Sequence, residues 1–257
     1  MNSMDFYWFG ENKIGAQGYQ DLYDHHFSGA LFPYSIDAGD FFTDIAKYAN
    51  KDHNLKYIVA IRPYVISPQY LCMINNTLNK IIPNQLQINF VTGWPYEEEK
   101  SFGGIVGDVN DLSSNIERSN YLINYINNLN EIKTDKPDYY ISVTNNFLYD
   151  VANKYNDKMI IPYTYFNSNR FDLLHKDVMV SVAPILRERS EEKEKFTTVL
   201  NEQDINFFSY KEFIDFIEKL KENNINKVLV RWGNHEEKDN IFNFVKQYKE
   251  GYFDDKM

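Results

Sequence analysis

The chain has 257 residues with 43% hydrophobic and 16% aromatic content, so a disordered chain is excluded, and the length suits one barrel-sized domain spanning residues 1–257. Its net charge of −10 argues against binding to nucleic acid or to an anionic membrane surface, because either needs a basic patch. A single cysteine excludes a disulfide framework and a cysteine-based metal site, and no apolar run reaches the roughly 20 residues of a membrane span, so we expect a cytoplasmic protein.

Two short apolar strands are predicted near the start of the chain. The first, Asp5–Phe9 (DFYWF), is aromatic, and Trp8 either packs between strands and helices or forms a wall beside a cofactor ring. The second, Gly29–Phe32, leads into a loop from which Tyr34 can reach inward. Asp40, at the end of that loop, either reaches inward as well or caps the next helix.

A strand–helix–strand unit spans residues 56–94. Tyr57–Ile61 and Leu86–Val91 are continuous apolar runs, which is typical of strands buried on both faces. Between them, Ser67 followed by proline predicts a helix start. Two strands joined through a helix are parallel, so Arg62 and Thr92, which follow them, are expected together at the carboxyl edge of a sheet, where α/β proteins place their chemistry.

The second half of the chain continues the alternation. The polar, glycine-rich stretch 95–114 is about as long as a lid. Further strands are predicted at the ranges Tyr139–Val143, Met159–Ile161, Val178–Leu186 and Lys227–Arg231, for a total of about eight, which favours a (β/α)8 barrel. Thr144 and Asn145 follow the first of these strands, where they can cap a helix, bind an anion at its N-terminus, or do both.

The central unit also carries a family resemblance. The string AIRPxxISP, a helix and then INxVTG resembles the bacterial-luciferase-like flavin-dependent monooxygenases, most closely their alkanesulfonate monooxygenase branch, and FSGALFPY and IEKLKENNINKVLVRWGNHEE are similar to flanking parts of that branch. The resemblance implies a single (β/α)8 TIM-barrel-like domain with shortened insertions. It also implies reduced FMN, or a related flavin, supplied by a separate flavin reductase, O2 as oxidant, a small-molecule substrate, and a dimer or tetramer.

The resemblance and the positional argument together select a set of candidate site residues. Arg62 and His235 are the catalytic candidates, although a histidine in the position of His235 is more often a helix-capping or surface residue. No metal ligand is expected. The candidates for cofactor binding are Trp8, Tyr34, Asn89, Thr92, Asn115, Ser119, Ser142, Thr144 and Asn145.

At four positions the chain departs from the family pattern. Asn115 and Ser119 stand where relatives have a histidine and a tyrosine that contact the flavin phosphate, and Val182 and Pro184 stand at an Arg-x-His used for flavin and substrate chemistry. These departures favour a second reading, a degenerate or repurposed barrel that binds a flavin or another ligand as a subunit. A third reading is an unrelated barrel enzyme for a phosphorylated metabolite. We therefore expect weaker FMN binding than in a complete family member, and no sulfonate oxidation by the usual route.

Overall fold

A computed structural model of the chain describes residues 3–9, 15–34, 39–92, 112–156, 158–168, 170–173, 176–187, 205–231 and 237–253. The strands within these ranges are β1 Asp5–Phe9, β2 Gly29–Phe32, β3 Lys56–Ile61, β4 Leu86–Phe90, β5 Asp138–Ser142, β6 Lys158–Pro162, β7 Asp177–Val182, β8 Pro184–Arg187, β9 Asn206–Ser209 and β10 Lys227–Val230. Eight of these described strands form a closed parallel barrel in the order β1-β10-β7-β6-β5-β4-β3-β2. The predicted (β/α)8 barrel is therefore confirmed.

Helices alternate with the strands and surround the barrel. They are α1 Gly15–Asp24, α2 Phe41–Tyr48, α3 Pro68–Leu78, α4 Leu112–Glu131, α5 Asn146–Tyr155, α6 Tyr163–Asn167, α7 Tyr210–Glu222 and α8 Lys238–Lys249. Asp40 caps α2 by accepting from the Phe42 amide at 3.0 Å, and Ser67 caps α3 by accepting from the Tyr70 amide at 3.2 Å. In the described part of the chain, no helix is both long and apolar enough to span a bilayer.

The barrel strands are buried on both faces, which explains their continuous apolar sequences. One set of side chains fills the barrel interior and comprises Tyr7, Leu31, Ile58, Ala60, Tyr140, Ile160, Met179 and Leu229. The alternate residues, such as Phe6, Val59 and Val180, pack outward against the helices in a larger apolar cluster. The assignment of each residue to one of these two layers decides which side chains reach the site.

A polar group lies at the amino end of the barrel interior. Lys227 Nζ donates to Asp177 Oδ1 at 2.6 Å and to the Tyr140 hydroxyl at 3.0 Å. Burial raises the pKa of the Tyr140 hydroxyl, which therefore stays protonated and neutral at neutral pH. Above this group, apolar residues fill the middle of the barrel, so the space for a ligand lies at the carboxyl ends of the strands.

The prediction of one long strand at Val178–Leu186 is wrong. The barrel strand β7 ends at Val182, and after Ala183 the chain forms β8, which pairs in parallel with β9 in a separate two-stranded sheet. Pro184 has no N–H to continue the barrel ladder, and the Ala183 carbonyl accepts instead from the Asn206 amide at 2.8 Å. The sequence analysis did not predict β9. Its residues pair with β8 in the register Pro184↔Asn206, 22 positions apart in the chain.

Candidate active site

A cavity of about 380 Å³ opens at the carboxyl ends of the barrel strands. Its wall includes six of the side chains that the sequence nominates: Tyr34, Arg62, Asn89, Thr92, Ser142 and Thr144. They come from the ends of β2, β3, β4 and β5, which are neighbours around the barrel. The structure thus brings these residues together, as expected for consecutive parallel strands.

Arg62 lies directly after β3 and is only 5% exposed. Its Cζ atom lies 5.5 Å from the centroid of the Tyr34 ring, within the range of a cation–π contact. This contact restricts the guanidinium and keeps a positive charge at the cavity wall.

Asn89 points into the barrel and is 2% exposed. Its Nδ2 donates to Ser142 Oγ at 3.0 Å, and Ser142 Oγ donates to Asn89 Oδ1 at 3.1 Å, which joins β4 to β5 at the cavity wall. Because both groups can donate and accept, the pair can exchange one of these bonds for a bond to the polar edge of a ligand.

The start of α5 lies beside Thr144, at the rim of the cavity. Asn145 is the N-cap of α5, and its Oδ1 accepts from the Leu148 amide at 3.0 Å. Asn145 Nδ2 donates to Asn115 Oδ1 at 3.3 Å, so the cap is tied to α4. The Tyr165 hydroxyl donates to the Thr144 carbonyl at 2.6 Å and steadies this turn further. A helix N-terminus held in this way is suited to an anion, because its first N–H groups lack partners within the helix.

Trp8 does not reach the cavity, so its assignment to cofactor binding is corrected. Its ring packs edge-on against Phe27 and Phe242, at centroid distances of 6.1 and 5.0 Å, between the barrel and the helix layer. Side chains alternate along a strand, so Phe9 is the β1 residue that lines the cavity.

Ser119 is also placed away from the cavity. It lies one turn beyond Asn115 on α4, where its hydroxyl donates to the Asn115 carbonyl at 2.8 Å. It faces a groove between α4 and α5. Asn115 itself remains next to the α5 cap, but its Oδ1 also accepts from Arg118 at 3.3 Å. His235 and most of the lid-length stretch lie outside the described residues.

Two polar residues of the cavity lining are absent from the predicted set. Arg231 follows β10 directly, just as Arg62 follows β3, and Ser181 is the inward-facing residue near the end of β7. The positional rule that selected Arg62 applies equally to Arg231, so the signal was present in the sequence. Val182, which the family register placed at a functional position, packs outward against the helices.

The described lining of the cavity combines apolar side chains with neutral and positively charged polar groups. Apolar surface comes from residues such as Phe9, Val91, Ile160 and Leu229, and polar groups are hydroxyls, one amide and the guanidinium groups of Arg62 and Arg231. The described lining contains no carboxylate and no imidazole. These described groups can orient a polar ligand and bind negative charge, but none of them is suited to remove a proton near neutral pH.

Several solved structures of other proteins resemble this barrel. No family model matches the chain. Among solved structures, a long-chain alkane monooxygenase is 11% identical, with a TM-score of 0.67 over 98% of this chain and 92% of that chain. EDTA monooxygenase from Chelativorans sp. BNC1 is 8% identical, with a TM-score of 0.64 over 97% and 94%.

A third similar structure contains a flavin. The oxygenating constituent of 3,6-diketocamphane monooxygenase from Pseudomonas putida, solved in complex with FMN, is 10% identical, with a TM-score of 0.64 over 96% of each chain. The chain therefore has the luciferase-like (β/α)8 barrel fold, and its resemblance to the luciferase-like flavin monooxygenases is confirmed at the level of the fold, with no preference for the alkanesulfonate branch.

Proposed function

We propose that this protein is an FMN-dependent monooxygenase of the luciferase-like class, which acts on a small molecule with reduced flavin and O2. The observation that carries the proposal is the cavity in which Arg62, Asn89 and Ser142 converge beside the α5 N-terminus. Its support from other proteins is the likeness of the fold to oxygenases, one of them solved with FMN.

The donor set fits the two ends of FMN. The α5 N-terminus, with Thr144 and the Asn145 cap, offers hydrogen-bond donors and a favourable dipole for the phosphate. The Asn89–Ser142 pair offers donors and acceptors for the polar edge of the ring, while Val91 and Ile160 offer apolar contact for its faces. These residues would hold the cofactor.

The division of labour follows from this lining. Bound reduced flavin supplies the electrons with which O2 is activated. The protein contributes position, hydrogen bonds and exclusion of water. Reduced flavin would come from a separate flavin reductase, as the resemblance implies, and assembly into dimers or tetramers belongs to the same proposal.

Two features of the site support weak rather than tight FMN binding. The Ser119 hydroxyl is bonded to its own helix, and Asn115 is engaged by Asn145 and Arg118, so neither replaces a histidine or tyrosine donor directed at the phosphate. Losing one charged contact typically weakens binding about tenfold or more. The inward side chains near the end of β7 are Met179 and Ser181, so we expect no sulfite release from short alkanesulfonates by the usual route.

Titration of the purified protein with oxidised FMN and with riboflavin, followed through flavin fluorescence, tests the proposal. We expect saturable FMN binding at micromolar concentrations, roughly tenfold tighter than riboflavin, because only FMN carries the phosphate. Equal affinities would show that the α5 N-terminus does not take the phosphate. No binding of either flavin would contradict the proposal as a whole. Binding without any reaction of the reduced complex beyond that of free reduced FMN would favour a flavin-binding subunit.

A further inference from the structure

We propose that a ring of charged side chains at the amino end of the barrel fixes the register of the strands, and thereby helps to decide which residues line the cavity at the other end. The ring consists of the first inward-facing residue of each barrel strand. In spatial order from β1, these residues are Asp5, Lys227, Asp177, Lys158, Asp138, Gln87, Lys56 and Gly29. Among these eight described positions, three are acidic, three are basic and no two neighbours carry the same charge.

The inward orientation of this ionic ring follows from the layer above it. Two residues further along the strand, seven of the eight ring positions are followed by a side chain of the apolar barrel interior, as Tyr7 follows Asp5. In β4, Asn89 follows Gln87 and lines the cavity. Side chains two apart on a strand face the same side, so the ring residues face the barrel axis as well.

Ion pairs join neighbouring members of the ionic ring. Lys227 Nζ donates to Asp177 Oδ1 at 2.6 Å, and Lys158 Nζ donates to both carboxylate oxygens of Asp138, at 2.5 and 2.6 Å. Gln87 Nε2 donates to Asp138 Oδ2 at 3.0 Å, which continues the contacts into β4. Each ion pair is partly exposed to water, so each contributes little to stability by itself.

The two ion pairs lie where neighbouring strands are staggered. Lys227 pairs with Met179 in the register of β10 and β7, so Asp177 lies two residues nearer the amino end. Lys158 is offset from Asp138 by the same step, according to the pairing of β6 with β5. A lysine reaches across such a step because its charge lies at the end of a flexible four-carbon stem. The charge pairs therefore match the stagger of these strands.

The apolar pattern of the strands does not fix this stagger by itself. Because the strands are buried on both faces, a slip of two residues mostly exchanges one apolar side chain for another. If β7 slipped two residues toward the carboxyl end, however, Asp177 would take the place of Met179 in the apolar interior, where an unpaired charge is costly. Met179 would then replace Ser181 on the cavity wall. The charges at one end thus help to select the residues at the other.

Charge reversal in one ion pair tests the inference, which does not depend on the proposed function. Lys227→Asp puts an acidic residue between Asp5 and Asp177, and Asp177→Lys puts a basic residue between Lys158 and Lys227. We expect each variant to lower the unfolding temperature by about 4 °C or more, because like charges on adjacent strands repel. The two substitutions change the net charge in opposite directions, so a loss in both does not come from net charge.

The double variant, Lys227→Asp with Asp177→Lys, separates a ring from an isolated pair. It restores the exchanged pair but leaves like charges side by side at both outer contacts, with Asp5 and with Lys158. We therefore expect it to recover less than half of the loss seen in the single variants. Full recovery of the unfolding temperature would overturn the inference, since the pair would then act alone.

An ion pair outside the ring is the matched control. Lys221 Nζ and Glu218 Oε1 lie 2.8 Å apart within α7. Exchange of these two residues, Lys221→Glu with Glu218→Lys, should recover most of the loss that either single reversal causes. Single reversals in the ring that cost no more than those in α7 would also overturn the inference.

Hydrogen exchange followed by mass spectrometry separates register from general stability. In Asp177→Lys, the amides of β7 and β10 should exchange about tenfold faster, while α3, on the opposite side of the barrel, keeps its protection. If this variant does not fold, Asp177→Asn takes its place, because it removes the charge and keeps the shape. Unchanged exchange in β7 and β10, or equal acceleration everywhere, would overturn the assigned role in register.

Discussion

Asn145 links the stability of a helix to the candidate site. Its Oδ1 caps α5 through the Leu148 amide at 3.0 Å, and its Nδ2 ties the cap to Asn115. Ser67 caps α3 in the same way, through the Tyr70 amide at 3.2 Å. Neither cap residue lines the cavity itself, but Asn145 directly follows Thr144, which does. The two residues therefore allow the capping role to be separated from a role in ligand binding.

We expect Asn145→Ala and Ser67→Ala each to lower the free energy of unfolding by about 1 kcal/mol, the usual cost of losing a cap. Only Asn145→Ala should also weaken FMN binding, because it disturbs the helix start assigned to the phosphate, while riboflavin binding should stay unchanged. Urea denaturation and flavin titration measure the two effects. Equal FMN affinities in both variants would remove Asn145 from the proposed site.

Among the elements, an ion pair joins β8 to the start of α8. Arg187 Nη1 and Nη2 donate to the two carboxylate oxygens of Glu237, both at 2.8 Å, and Glu237 is 2% exposed. A second pair, Lys158 with Asp138 at 2.5 Å, joins β6 to β5 but leaves 28% and 41% of its side chains exposed. The two pairs differ mainly in burial, which decides how much the loss of one partner costs.

Glu237→Gln should lower the free energy of unfolding by about 3 kcal/mol, because it leaves a largely buried guanidinium beside a neutral amide. Asp138→Asn, the control at the exposed pair, should cost at most about 1 kcal/mol. Chemical denaturation of both variants at neutral pH gives the comparison. Similar costs for the two would mean that the Arg187–Glu237 pair contributes no more than an exposed pair.

Gly29 lies where β2 runs close against the backbone of β3. A Cβ atom at this position would lie 2.1 Å from the Lys56 carbonyl oxygen, so no side chain fits without a backbone shift. We expect Gly29→Ala to destabilise the barrel by about 1–3 kcal/mol, or more if the pairing of the two strands opens. A thermal unfolding transition equal to that of the unaltered protein would contradict this packing.

For the molecule as a whole, buried tyrosines predict a loss of stability at alkaline pH. Burial raises the pKa of Tyr57 to about 12 and that of Tyr139 to about 12, above the ordinary tyrosine pKa of about 10. Because the folded-state pKa is the higher one, their stabilisation is complete below pH 10 and is lost as the pH rises through about 12. The unfolding temperature should therefore fall over this range.

Tyr57→Phe is the variant that checks this cause. It removes one titrating hydroxyl, so its unfolding temperature should fall less steeply between pH 10 and 12 than that of the unaltered protein. Thermal scans at matched ionic strength give the two slopes. Identical slopes would mean that other groups cause the loss of stability at alkaline pH. Tyr19 and Tyr125 are candidates, because burial raises the pKa of their hydroxyls as well.

Much of the architecture is readable from local pattern. The strand ranges are predicted to within one residue at each end for β1, β2 and β3, and the caps Asp40 and Ser67 are recognisable from residue type and position. The convergence of Arg62, Asn89 and Thr92 also follows, because parallel strands joined by helices must end at one edge. That no second domain accompanies the barrel stays a prediction.

Other features depend on contacts that no local pattern records. In β1 every residue from Phe6 to Phe9 is apolar or aromatic, so the sequence alone does not show that Trp8 faces the helices and Phe9 the cavity. The same ambiguity applies to β7, where the sequence did not show that Ser181 faces the cavity and Val182 faces the helices. A strand buried on both faces lacks the polar alternation that reveals its orientation, and only closure of the barrel assigns each side chain to a layer.

The hydrogen bonds of Asn115 are a second feature that the local sequence pattern does not show. Its amide partner Asn145 lies 30 positions away, and α4 and α5 must pack before the two side chains meet. The family resemblance predicted a phosphate-binding role for the position of Asn115, and only the packed helices show that its oxygen is already shared between Asn145 and Arg118. Hydrogen-bond partners across the fold are decided by tertiary distance, which residue type and spacing do not encode.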